Sequence, residues 1–176
     1  MQDYSNSNLV IQLIGFVALG FMAAVFQANK RKNLLSLQAT SALLFSLHFI
    51  LLGAITGAVM NLLGAARSYT FLNLGKNRDI RFLFAFIMLF ALATFVSWQG
   101  TKSLLPLTGM IFGTVAFWQT KPSKTRLIAL LASPPWFIYS AITGSYPGML
   151  VELIVFSSNL TGIYRLDLPK LSKRGG

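Results

Sequence analysis

The chain has 176 residues, of which 55% are hydrophobic and only 11% charged, and its mean hydropathy is +0.64. Soluble domains carry roughly a quarter charged residues, so this composition argues against a soluble enzyme and against disorder. A net charge of +11 raises nucleic acid as a partner, and the lack of cysteine excludes disulfide scaffolds and thiolate metal sites.

A helix needs about 20 apolar residues to cross about 30 Å of hydrocarbon. Met1 to Asn8 is polar and lacks the positive start of a cleavable signal, so the first apolar run, Leu9 to Phe26, reads as a retained helix. Lys30, Arg31 and Lys32 close it. Asn33 to Ala66 carries no charge and would span roughly 50 Å as one helix. Gly53-Ala54-Ile55-Thr56-Gly57 breaks it, giving helices over Leu34 to Leu52 and Thr56 to Leu74. A basic loop with Lys76, Arg78 and Arg81 precedes the fourth run, Phe82 to Trp98. The fifth run, Leu104 to Gln119, ends at Lys121, Lys124 and Arg126. The sixth covers Leu127 to Ile142. Gly144 to Gly148 turns the chain into the seventh, Met149 to Tyr164, followed by a basic tail. The whole of 1–176 is thus predicted to be one all-α membrane domain of seven transmembrane helices.

The charges orient it. All but Lys102 and Arg67 of the 15 Lys and Arg fall after runs one, three, five and seven. The positive-inside rule then puts the N-terminus outside and the C-terminus in the cytoplasm. The +11 is therefore an orientation signal, with no nucleic-acid partner implied. Asp79 and Asp167 read as solvated loop residues.

Spans one to three and five to seven also match each other. Phe26-Gln27 corresponds to Trp118-Gln119. An offset of 91 pairs Gly53 with Gly144, Gly57 with Gly148, Asn61 with Glu152, and Ser68 with Asn159. Two triplets joined by one helix must share an orientation, which predicts a parallel 3-1-3 repeat, an architecture used by transporters. The first unit is 9–74, the linker helix 82–98, the second unit 104–164 and the tail 165–176.

Leu104-Leu105-Pro106-Leu107-Thr108-Gly109, Trp136, Gly144-Ser145, Glu152, Asn159 and Arg165 resemble the YgjV-like bacterial inner-membrane proteins. Arg67 and the His48-Phe49 to Leu52-Gly53 stretch fit as well. More broadly the chain resembles the SWEET/PQ-loop superfamily, which includes sugar and vitamin carriers, sorting receptors and the mitochondrial pyruvate carrier. The resemblance implies a multi-pass protein of the bacterial inner membrane. It also implies asparagines on the third and seventh helices that face a substrate, for which Asn61 and Asn159 are the nearest equivalents.

Polar residues within apolar spans need a reason. Gly57, Asn61, Gly64 and Ser68 form one helical stripe, and Gly148, Glu152, Val155 and Asn159 form another. Facing each other, the stripes would line a central polar site. Small residues at this spacing also serve helix packing, so both readings stand for Asn61 and Asn159. Glu152 is the one acid clearly inside a span, where a carboxyl can take up and release a proton; the other reading puts it near the outer water with no special role. Phe45 and Trp136 are repeat counterparts that could stack on a ring, or sit in core or lipid. His48 and its counterpart Tyr139 read as packing or pocket residues, because a single histidine makes no metal site. Pro134 and Pro135 interrupt the sixth helix, a bend usable for gating or a fixed kink. Arg67, two turns from its helix end, is expected to snorkel to headgroups, with an ion pair or an anion contact as the other readings. No nucleophile–base pair, phosphate loop or cofactor motif occurs. The expectation is a carrier of a small polar solute, sugar- or vitamin-like, working by alternating access around the central polar site; it is not an enzyme and needs no cofactor or metal. A non-transporting receptor or assembly partner is the alternative, and a homo-oligomer is compatible with either.

Overall fold

The computed structural model describes residues 2–25, 30–74 and 79–167. Phe26-Gln27, Lys76, Arg78 and the tail bearing Lys170, Lys173 and Arg174 lie outside the described residues. Seven helices follow one another: α1 (Gln2–Val25), α2 (Arg31–Leu51), α3 (Ile55–Leu74), α4 (Ile80–Val96), α5 (Leu104–Trp118), α6 (Pro122–Thr143) and α7 (Tyr146–Gly162). A 3-10 turn at Thr101–Ser103 leads into α5, and a π-helical turn at Ile163–Asp167 extends α7. No strand occurs among the described residues.

Helix breaks fall where the sequence supplies them. Gly53 and Gly144 adopt the left-handed region, with φ of 70° and 72°, a conformation that costs glycine nothing. The two hairpin turns thus share one backbone solution. α6 starts earlier than expected: Pro122 suits a first helical turn, and this draws Lys124 and Arg126 into the helix. Asp79 caps α4 by accepting the Arg81 N–H at 2.9 Å. Asp167 is no solvated loop residue. It accepts two hydrogen bonds from Arg126, at 2.7 and 3.0 Å, and clamps the end of α7 to the start of α6.

α1 packs on α2 and α2 on α3; α5 packs on α6 and α6 on α7. α7 also packs on α1, α3 meets α5, and α4 rests on α5 and α3. One core cluster gathers Ala18, Phe45, Phe49, Ala54, Ala58, Tyr139 and Val151, and a second gathers Leu35, Met60, Phe71, Phe86, Phe90 and Met110.

The distribution of polarity is the reverse of a soluble protein's. Gln38, Ser41, Ser46, His48, Arg67, Thr114 and Ser133 are buried, while Leu47, Ile50, Phe84, Met88, Leu92 and Phe95 are exposed. Apolar surface on this scale needs lipid or a partner to cover it. By length and apolarity, three stretches among the described residues are able to cross a membrane, Asn8–Val25, Lys32–Leu51 and Tyr146–Asp167, and α4 is a shorter apolar helix.

Candidate functional site

A cavity of about 170 Å³ lies between six helices, all except α4. Its walls are mostly apolar. Phe45 and Phe49 come from α2, Met110 and Phe117 from α5, and Trp136 from α6. The expected pairing of Phe45 with Trp136 is bridged by Phe49, whose ring centroid lies 6.3 Å from Phe45 and 6.1 Å from Trp136. Glycines bring the walls together. A Cβ on Gly109 would collide with the Trp136 indole, so α5 meets α6 only because residue 109 has no side chain.

Polar groups enter this apolar space at few points. Asn61 on α3 and Glu152 on α7, 91 residues apart in the chain, both line the cavity. Asn61 donates to Gly57 O at 3.0 Å, which holds its amide along its own helix and fixes its rotamer. Ser133 approaches the Glu152 carboxyl from α6, and its buried hydroxyl completes no hydrogen bond. Gln38 and Ser41 add polar groups from α2.

Arg67 lines the cavity too. It is 4% exposed, so the snorkelling expectation fails: the side chain turns inward. It donates from Nη1 to Thr114 Oγ1 at 2.8 Å and lies over the Phe117 ring, with Cζ 5.0 Å from the centroid. These partners are on α5 and supply local contacts that headgroups would otherwise provide.

His48 and Tyr139 are fully buried but stand outside the cavity wall, tying one end of the bundle. His48 on α2 bonds Ile11 O of α1 at 2.8 Å through Nδ1, and Ser145 Oγ at 2.8 Å through Nε2. Ser145 is the N-cap of α7, where its Oγ accepts the Gly148 N–H at 3.1 Å. Tyr139 on α6 mirrors this: its Oη accepts the Gly57 N–H in the first turn of α3 at 2.9 Å. First-turn N–H groups have no partner within their own helix, so each tie meets a need that the helix itself cannot. Gln99 adds a third tie by accepting the Thr56 N–H at 3.3 Å and donating to Gly53 O at 2.9 Å.

Of the sequence candidates, the cavity therefore gathers Asn61, Glu152, Phe45, Trp136 and Arg67. Ser68 is buried beside it, within hydrogen-bond distance of Gln38 Oε1 and Gly64 O. Asn159 lies two turns past Glu152 and donates back to Val155 O at 2.8 Å. α6 runs unbroken through Pro134 and Pro135; the flanking Ser133 and Trp136, not the prolines, reach the cavity. Sequence reasoning missed Gln38, Ser41, Phe49, Phe117 and Ser133. At the offset that singled out Asn61, the polar residues among them, Gln38, Ser41 and Ser133, correspond only to alanines, Ala129, Ala132 and Ala42.

No curated protein and no solved structure matched the chain in comparison searches. The Imp-YgjV family model, described as bacterial inner membrane protein, matches residues 9–170. That match takes in the whole cavity wall, from Met22 to Val155, and the chain therefore belongs to the Imp-YgjV family of bacterial inner membrane proteins.

Proposed function

We propose that the protein is a carrier for a small polar solute, crossing the inner membrane seven times as two parallel three-helix units joined by α4, with the N-terminus out and the C-terminus in. The kinship with SWEET-type carriers is part of this proposal. One observation carries it: Asn61 and Glu152, equivalent positions of the two units, line one cavity. A membrane interior holds such groups at a cost that a bound solute offsets. The positive-inside pattern supports the orientation. Further support comes from the ties at His48 and Tyr139. They join the units at the end away from the basic loops, as expected of a carrier caught closed on one side. Rocking one unit against the other would open that end and close the opposite one, exposing the same polar groups alternately.

Purified protein in liposomes tests this. A solute library is screened by thermal shift, and hits are followed by uptake. Asn61→Ala and Glu152→Ala are each expected to abolish both the shift and the uptake while leaving the fold intact. Full uptake in both variants would overturn the central-site reading, and a complete lack of uptake for every stabilising solute would favour a receptor or assembly role. Glu152→Gln keeps the shape of the side chain and removes its exchangeable carboxyl proton. It is expected to flatten the pH profile of uptake if Glu152 couples transport to protons.

A further inference from the structure

Arg67 is charged and buried, and neither helix packing nor the polar centre at Asn61 and Glu152 accounts for it. A guanidinium presents five N–H donors and stays protonated in proteins. Only Nη1 makes a described hydrogen bond, to the Thr114 hydroxyl, and the buried Nε has no partner. The ion pairs among the described residues use other cations: Arg81 with Asp79 and Arg126 with Asp167. Glu152 shares the cavity with Arg67, yet no ion pair joins them. Asn61 stands six residues before Arg67, about 9 Å along the α3 axis. A charge placed in an apolar interior is costly unless an opposite charge and hydrogen bonds meet it, and the planar fork of arginine is matched best by a two-oxygen anion. Phe117 beneath the guanidinium offsets part of this cost but offers no hydrogen-bond acceptor to the fork.

Building on the carrier reading, we infer that Arg67 recognises the anionic group of the solute and that the solute is a small monocarboxylate. The charge arithmetic selects the class. With the Glu152 carboxyl in its protonated form, one buried cation balances one negative charge, whereas a phosphate dianion would leave a surplus charge against mostly apolar walls. The volume selects the size: about 170 Å³ is close to that of an engineered cavity that takes up benzene. Phe45, Phe49 and Trp136 face the apolar body of such a molecule, and Asn61 and Glu152 meet its remaining polar groups. The phosphodiester of an anionic lipid carries the same single charge, and it is the one other source of this chemistry that the bilayer supplies.

Matched probes separate these sources. Benzoate and benzamide share a shape and differ in charge. In delipidated detergent solution, benzoate is expected to raise the unfolding temperature of the wild-type protein and benzamide is not. Arg67→Met should weaken benzoate binding by about 100-fold, and Arg67→Lys, which keeps the charge and loses the fork, by about tenfold. Arg67→Met without ligand should unfold at the wild-type temperature or above it, because an uncompensated buried charge has been removed. A purely structural arginine would instead lower it. Equal responses to benzoate and benzamide, or unchanged benzoate binding in both variants, would overturn the inference. So would an Arg67-dependent shift caused by phosphatidylglycerol and not by benzoate, which would assign the site to lipid. Arg67-dependent benzoate binding without uptake would support the anion site while removing the carrier reading.

Discussion

Gly109→Ala is expected to destabilise the protein by about 1–3 kcal/mol, the usual cost of overpacking a close contact. The new methyl group would overlap the indole of Trp136 and lie 3.2 Å from the carbonyl oxygen of Ala132. The indole is rigid, and the carbonyl belongs to the backbone of α6, so neither yields without moving the α5–α6 interface. Trp136 lines the cavity, so an indole displaced by the new methyl group should also reduce ligand binding. Gly113→Ala is the control one turn further along α5. A Cβ there meets only Arg67 Nη1, at 3.7 Å, and should leave stability within about 0.5 kcal/mol of wild type or slightly raised, as alanine favours a helix. Denaturant or thermal unfolding in detergent compares the two. Equal effects would show that α5 and α6 do not depend on a bare backbone at position 109.

His48→Ala is expected to cost about 3 kcal/mol, combining a cavity in a fully packed site with the loss of two hydrogen bonds. The ring also packs edge-on against Phe49, 5.4 Å between centroids, and no neighbouring side chain replaces that contact. Tyr139→Phe keeps the ring and removes one hydroxyl. It should cost about 1–3 kcal/mol, because the Gly57 N–H is left buried without its acceptor. Amide hydrogen exchange locates the damage: faster exchange at Gly148 in the first variant and at Gly57 in the second. Protection unchanged at both amides would show that the ties do not hold the helix ends.

Much of the fold can be read from the chain. Apolar runs broken by basic clusters, and glycines that tolerate positive φ, mark seven helices in order. Charge and turn chemistry are local, and a sequence displays them directly. The cavity is only partly legible. The spacing of Gly57, Asn61, Gly64 and Ser68 gives the correct face of α3, and Asn61 does reach the cavity. The same spacing on α7 holds for Glu152 and overshoots at Asn159, because a stripe gives the face of a helix and not the depth at which the cavity ends. Arg67 is harder still. A lone arginine near a helix end looks the same whether it reaches out or folds in. Thr114 and Phe117, some 50 residues away in the chain, decide between the two. His48 and Tyr139 are paired by the offset of 91, but their partners are on other helices, α1 and α7 for His48 and α3 for Tyr139, contacts visible only once the helices are packed.

The tie at His48 fixes more than a distance. Ile11 O can only accept, so the hydrogen of the neutral imidazole resides on Nδ1. Nε2 must then accept, and the Ser145 hydroxyl must donate to it. The same hydroxyl oxygen accepts the Gly148 N–H. Every donor in this chain points the same way, from the amide of α7 through serine and imidazole to the carbonyl of α1. Each bond polarises the next. The packing of three helices thereby selects one of two tautomers of a single ring, and nitrogen NMR of ring-labelled protein would read that choice directly.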